Sequence, residues 1–285
     1  MNTVTISQDY TDEKTFYFGL FSDLHLDAKG HDRQQFESDM DYVICKNGRI
    51  FVNGDIFDAI MPTDRKRYSR SGDVFESDAQ INAKVDYAFT RLKPYADYID
   101  YLGFGNHEVS AVKYNNSDMI AMLARELNRE RSSSLKPIAR SGYNGFINLS
   151  FSRGNGATRR VVIYRDHGKG GNSPVTKGTI SLNRLYTTYI ADIYWLGHSH
   201  VSLVDSKSQW SIGVSSQGNL FRKNKIGIIT PGYNRNFDEK NYDKDSDYYE
   251  LNFAEERFYA PTGIGYGLLE VDLTGDKLNI KASVQ

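Results

Sequence analysis

Five short polar clusters in this 285-residue chain each follow directly on an apolar run: Asp23 with His25, Asp55 with Asp58, Asn106 with His107, His167 alone, and His198 with His200. Of the six histidines only His31 lies outside this pattern. Any one of the five, met singly, is more readily explained as a hydrogen-bonded structural residue than as a ligand. Taken together they resist that explanation, because histidines scattered for packing have no reason to recur behind so many apolar runs. Imidazole and carboxylate donors mixed in this way suit Mn²⁺, Fe, Zn²⁺ or Co²⁺ better than Ca²⁺, and no cysteine thiolate is offered among them.

The elements that must position these residues read as strands. The runs at 15–21, 49–53, 98–104, 160–164 and 193–196 are aromatic or β-branched, and each stops at one of the clusters. A buried strand that ends in glycine and then a carboxylate, as at Gly54 and Asp55, delivers that carboxylate to the mouth of a sheet, where ligands collect in α/β proteins. Alone, Asp55 would more simply cap a following helix. Residues two apart on an extended segment face the same side, so Asp23 and His25 can converge on one ion while Leu24 turns inward.

Between these runs, 34–45, 75–92, 118–130 and 181–190 carry apolar residues at helical spacing, and the first of them closes a βαβ unit. Residues 61–73 and 132–142 read as loops, and 153–156 as a hairpin turn joining strands at 146–151 and 160–164. Further strands are expected at 210–214, 225–230 and 266–273. No repeat or linker is visible, so 1–285 is expected to form one domain, with its motifs within 15–200 and a β-rich part over 205–285.

Composition sets wide bounds. With 39% hydrophobic residues the chain can build a large core, and a net charge of −1 with pI near 6.6 gives no global field to hold a long nucleic acid. Binding of nucleic acid would need a local basic patch. The single cysteine, Cys45, excludes an intramolecular disulfide, and the polar stretch 1–13 has no apolar signal core, so an intracellular, cytoplasmic location is expected. No apolar run approaches the ~20 residues that span a bilayer, and no membrane role is expected.

In chain order, Asp23-Leu-His25, Gly54-Asp-Ile-Phe-Asp58, Gly105-Asn-His-Glu108, His167 and Gly197-His-Ser-His200 closely resemble the motifs of the calcineurin-like metallophosphoesterases. The resemblance implies an α/β fold of two stacked mixed β-sheets flanked by helices, a four-layer sandwich. It implies two divalent transition-metal ions, Mn²⁺ first, with Fe, Zn²⁺, Co²⁺ or Ni²⁺ as alternatives. Asp23, His25, Asp55 and His200 would hold one ion; Asp55, Asn106, His167 and His198 would hold the other. His107 would contact the phosphate and protonate the leaving oxygen, with Asp58 orienting its ring. In such a site two cations roughly 3.5 to 4 Å apart clamp the phosphoryl oxygens and acidify a bridging water, making hydroxide for in-line attack.

Departures from single branches narrow the expectation. The family's protein phosphatases place arginine directly after the second aspartate, where this chain has Ala59. The pyrophosphatase branch replaces the third-motif histidine by arginine, unlike His107, and the repair nucleases carry a longer region after the last motif. A phosphodiesterase or nuclease acting on a nucleotide or nucleic-acid substrate is the expected activity. A nucleotide phosphomonoesterase, or a metal-binding interaction module without turnover, is the alternative.

Two segments could select the substrate. Residues 168–177 follow His167 and are rich in glycine, with Lys169 and Lys177 available to a phosphate. The tyrosine-rich stretch 233–259 follows Pro231 and Gly232 and is expected at the rim of the same cleft. There Tyr242, Tyr248 and Tyr249 would offer faces for base stacking.

Overall fold

The aromatic run Thr15–Phe21 folds as a strand, and its alternation sets how the molecule is layered. Phe16, Phe18 and Leu20 face an apolar layer shared with Ile147, Leu149, Phe151, Ile163 and Trp195, whereas Phe21 faces Phe36, Met40 and Val43 on the other side. Each such side chain, fully buried, contributes about 1.5–3 kcal/mol relative to exposure. The computed structural model describes residues 2–11, 14–61, 79–154, 156–170, 176, 178–213, 218–235, 263–275 and 278–285. Its strands are β1 (Asn2–Tyr10), β2 (Thr15–Phe21), β3 (Arg49–Val52), β4 (Ile99–Leu102), β5 (Ala139–Arg140), β6 (Asn144–Arg153), β7 (Thr158–Asp166), β8 (Ile193–Leu196), β9 (Leu203–Ile212), β10 (Leu220–Ile229), β11 (Gly267–Asp272) and β12 (Asn279–Val284). The α-helices are α1 (Arg33–Cys45), α2 (Gln80–Leu92), α3 (Asn106–Asn115), α4 (Met119–Glu130) and α5 (Thr179–Thr188).

Two six-stranded sheets result, ordered β12-β11-β2-β3-β4-β5 and β1-β6-β7-β8-β10-β9. Both are mixed: β2, β3 and β4 run parallel while β11 is antiparallel to β2, and β7, β8 and β10 run parallel while β9 is antiparallel to β10. Three apolar layers separate the four tiers. One lies between α1, α2 and α4 and the first sheet, one between the sheets, and one under α5, where Leu182 and Tyr186 meet Tyr164 and Tyr194. This is the expected two-sheet sandwich flanked by helices.

Local signals explain most elements. Phe36, Met40 and Val43 form the buried stripe of α1, and the Asp32 carboxylate caps it by accepting the Gln35 N–H. Asp118 does the same for α4 through the Ala121 N–H at 2.7 Å. Several bounds differ from the sequence reading. Helix α2 is described over Gln80–Leu92, residues 75–78 of the expected helix lying outside the described residues; β9 begins at Leu203 rather than at 210, and the loop at 132–142 contains the two-residue strand β5. Behind Leu203 and Val204, β9 runs through the polar stretch 205–209 because it is an edge strand beside solvent, where period-two apolarity is not required. Strands β1 and β12, and helix α3, had no counterpart in that reading. No helix among the described residues is long and apolar enough to cross a membrane.

Candidate metal centre

The strands carrying the motifs all end at one edge of the sandwich, and the two sheets meet there through polar bonds. The His198 N–H donates to both carboxylate oxygens of Asp23, at 3.0 and 2.9 Å, and His167 Nδ1 donates to the Asn53 carbonyl at 2.7 Å. Asp23 and His25 follow β2, Asp55 and Asp58 follow β3, and Asn106 and His107 open α3 just beyond β4. His167 follows β7; His198 and His200 follow β8.

The backbone that aims them is not extended. Asp23, His25, Asp55, His198 and His200 have φ between 45° and 65°, and they make up five of the eight non-glycine residues with positive φ among those described. Asp23 and His25 therefore converge through two left-handed turns rather than through strand alternation, although Leu24 is buried as expected. Aspartate and histidine tolerate this conformation better than most residues, and such conformations collect at functional sites. Close approach is permitted by glycine. A Cβ on Gly54, itself at φ +80°, would meet the Gly105 nitrogen at 2.3 Å, and one on Gly105 would meet the Asp55 carboxylate.

Three groups of donors each lie within 4.8 Å of one another: Asp23, His25 and His200; Asp55, His167 and His198; and His25, Asp55 and His107. Each of the first two holds three members of an expected ligand set; Asp55 is absent from the first and groups instead with His25 and His107, while Asn106 lies beside the second, its Oδ1 2.7 Å from His198 Nδ1 and 3.2 Å from His167 Nε2. His167 Nε2 stands 3.0 Å from Asp55 Oδ2, and His200 Nε2 stands 3.6 Å from Asp23 Oδ1. His107 also lies within ligand reach of Asp55, with Nε2 at 3.9 Å. Its Nδ1 meets the main-chain carbonyl of Asp58. The Asp58 carboxylate lies 3.7 Å from His107 Nδ1 but accepts a closer bond from His25 Nδ1 at 3.1 Å. Asp58 thus orients the His107 ring chiefly through its backbone.

The charges explain why this cluster would attract cations. Burial opposes protonation of His25, yet its bond to Asp58 and the charges of Asp58, Asp55 and Asp23 outweigh that and raise it to about 9. His167 is likewise disfavoured by burial but raised to about 10 by Asp55 and Asp23. His200 goes the other way, lowered to about 4 by burial, and His198 is lowered by burial and by His167. Burial also works against the charge on Asp55, but His167 and His107 hold its carboxyl well below the usual range.

The donor set fits divalent transition ions: imidazole and oxygen donors in two overlapping groups, with the buried Nδ1 of His200 lacking a hydrogen-bond partner. A cation entering the cluster competes with protons on His25 and His167. Because both are raised above their ordinary value, they retain protons at neutral pH, and binding must release them. Their contribution to stability is complete below about pH 6.5 and is lost as pH rises through about 9 to 10. The gap in Tm between Mn²⁺-loaded and chelated protein is therefore expected to widen between about pH 6 and pH 9, with proton release measurable by calorimetry in buffers of different ionisation enthalpy. A gap that narrows over this range would contradict the ligand roles of His25 and His167.

Supporting residues complete the centre. Glu108, fully buried, accepts the N–H groups of Asp55, Ile56 and Gly105 at 2.7–2.9 Å and that of Phe57 at 3.2 Å, pinning the Asp55 loop to the start of α3. Burial and the nearby Asp55 charge raise its pKa. Arg165, equally buried, donates to Asn53 Oδ1 and Ser141 Oγ, tying the two sheets beneath His167. The sequence reading placed Glu108 in a motif without a role and passed over Arg165. An arginine directly behind the apolar run 161–164 is the available signal. Of the expected substrate contacts, Lys169 is exposed two residues past His167, while Lys177, Tyr242, Tyr248 and Tyr249 lie outside the described residues. Gly232 does pass the centre, where a Cβ would meet His200 Nδ1 at 2.8 Å, but Tyr233 turns into the core rather than onto the rim and donates to Asp39 at 2.7 Å.

No protein-family model matches the sequence, and no curated protein matches it. Three solved structures are similar to the chain overall. A conserved uncharacterized protein of Streptococcus pneumoniae, described as a predicted phosphoesterase, is 12% identical with TM-score 0.32, covering 94% of this chain and 89% of the other. The calcineurin-like phosphoesterase YfkN of Bacillus subtilis is 13% identical with TM-score 0.35, covering 96% and 91%. Vps29 of Entamoeba histolytica, complexed with Zn²⁺, is 8% identical with TM-score 0.30, covering 94% and 98%. Overlaps this loose carry no argument about chemistry, which rests on the motifs and the centre they build. In motif order and in its paired mixed sheets, the chain is similar to the calcineurin-like metallophosphoesterases.

Proposed function

We propose that the protein is a metal-dependent phosphoric ester hydrolase that cleaves phosphodiesters of a nucleotide or nucleic acid. The observation that supports this reading is the convergence of donors from five strand ends of two sheets, with His107 beside them. Asp23, His25, Asp55 and His200 would hold one divalent ion, and Asp55, Asn106, His167 and His198 a second, with Mn²⁺ as the favoured metal. Bound there, such ions would neutralise phosphoryl oxygens and acidify water for in-line attack. The chain's own residues do the rest. His107 is held with Nδ1 toward the Asp58 carbonyl, which leaves Nε2 on the side of Asp55 to protonate the departing oxygen. The side chains of His107, Asp58 and His200 are 13%, 23% and 19% exposed, and Asn106 and His198 are part-exposed as well, so substrate approaches over these residues while Asp23, Asp55 and His167 stay covered.

The test compares bis-p-nitrophenyl phosphate with p-nitrophenyl phosphate, using the full chain with Mn²⁺ and with chelator. Chelator-sensitive turnover favouring the diester is expected. Preference for the monoester would make the protein a phosphomonoesterase. Metal binding without turnover of either ester would leave an interaction module.

A further inference from the structure

Asp27 and Lys84 form an ion pair that the ligand scheme does not use. Lys84 Nζ lies 2.9 Å from Asp27 Oδ2, and the two residues are 3% and 2% exposed. Lysine and aspartate are almost never so covered unless paired, and their desolvation must be offset by good geometry. Lys84 sits on α2 beside Val85, Ala88 and Leu92, the apolar stripe that packs in the helical layer, so the helix carries a charge into its buried side.

The remaining capacity of the Asp27 carboxylate is spent on two consecutive amides. Its Oδ1 accepts the Asp58 N–H at 2.6 Å, and its Oδ2 accepts the Ala59 N–H at 3.0 Å. Ala59 has φ +46°, a conformation alanine avoids and that its surroundings must hold. The peptide so fixed begins at the carbonyl of Asp58, which receives His107 Nδ1, and Asp58 Oδ1 receives His25 Nδ1.

We propose that Asp27 and Lys84 are positioning residues for proton transfer, which clamp the main chain at Asp58 and Ala59 and through it hold the His107 ring with Nδ1–H on the Asp58 carbonyl, so that the second proton of the imidazolium sits on Nε2 and is the one given to the departing oxygen, leaving the neutral Nδ1–H tautomer. This rests on the phosphoesterase reading above for its kinetic consequence, though not for its structural one. Asp27 and Lys84 touch neither substrate nor metal ligands' donor atoms in this scheme. They act through the Asp58 carbonyl, so their loss should be felt where a proton must be delivered.

The test uses the full chain with Mn²⁺ and three variants: K84M, the neutral pair D27N/K84M, which avoids an unpaired buried charge, and K84R as the conservative control. Diphenyl phosphate has the poorer leaving group and bis-p-nitrophenyl phosphate the better one. For K84M and D27N/K84M, kcat is expected to fall by about 10- to 100-fold on diphenyl phosphate and by less than about threefold on bis-p-nitrophenyl phosphate. KM and Mn²⁺ content should stay unchanged, and K84R should restore most of the loss. In ¹⁵N NMR of the folded protein, His107 should lose its single Nδ1–H tautomer in D27N/K84M. Equal losses on both esters, loss of Mn²⁺, or a lowered Tm with kcat and tautomer unchanged would each overturn the proposal. If the wild type hydrolyses neither ester, the phosphoesterase reading has failed. The tautomer then decides the proposal alone, and an unchanged His107 ring in D27N/K84M overturns it.

Discussion

Asp55→Asn is expected to lower metal content at both halves of the centre at once and to reduce phosphodiester hydrolysis by about 10³-fold or more, since charge neutralisation by two ions is worth several kcal/mol. Asp55 alone belongs to both expected ligand sets, and its Oδ2 stands 3.0 Å from His167 Nε2. Asparagine accepts the φ of 48° found there, and Glu108 binds the Asp55 main-chain amide rather than its side chain, so the variant should fold. Metal analysis and thermal melting separate the outcomes. Normal metal content with a normal rate would show that Asp55 does not bridge.

His107→Ala is expected to differ in kind. Metal content should remain, while kcat falls by about 10²- to 10⁴-fold on esters with poor leaving groups, the usual worth of a positioned general acid. On p-nitrophenyl esters, whose leaving group departs without a proton, the loss should be much smaller. A metal content that falls with the rate would make His107 a ligand, which its place in the group with His25 and Asp55 allows. An equal loss on both esters would mean that His107 positions the phosphate and delivers no proton.

Much of this was legible in the sequence because the site lies where strands stop. β2, β3, β4 and β8, and β7 from Val161 onward, are largely covered on both faces, so they read as apolar runs, and each motif marks the end of one. What escaped lacked such contrast. Of the apolar residues in α3 only Ala111 is buried; the helix starts because Gly105 admits the turn and Glu108 binds the Gly105 N–H, which periodicity does not report. In β1, Val4, Ile6 and Tyr10 do alternate inward, but Thr, Ser, Gln and Asp between them make the stretch look merely polar. The left-handed turns at the ligands were also hidden, because Asp-Leu-His written as an extended segment predicts the same convergence by another route. The Asp27–Lys84 pair joins residues 57 apart, a distance over which a single sequence carries no pairing signal.

The centre draws donors from both sheets, with Asp23 and His198 in contact across 175 residues of sequence. Neither expected ligand set is complete until the sheets have docked, because His167, His198 and His200 come from the second sheet and closing a loop of that length is an entropic cost that a few donor atoms do not offset in the open chain. Folding must therefore be completed by the apolar layers alone. An ion arriving afterward would hold the native state without speeding its formation, and the time the folded molecule survives, rather than the time it takes to form, would record whether metal is bound.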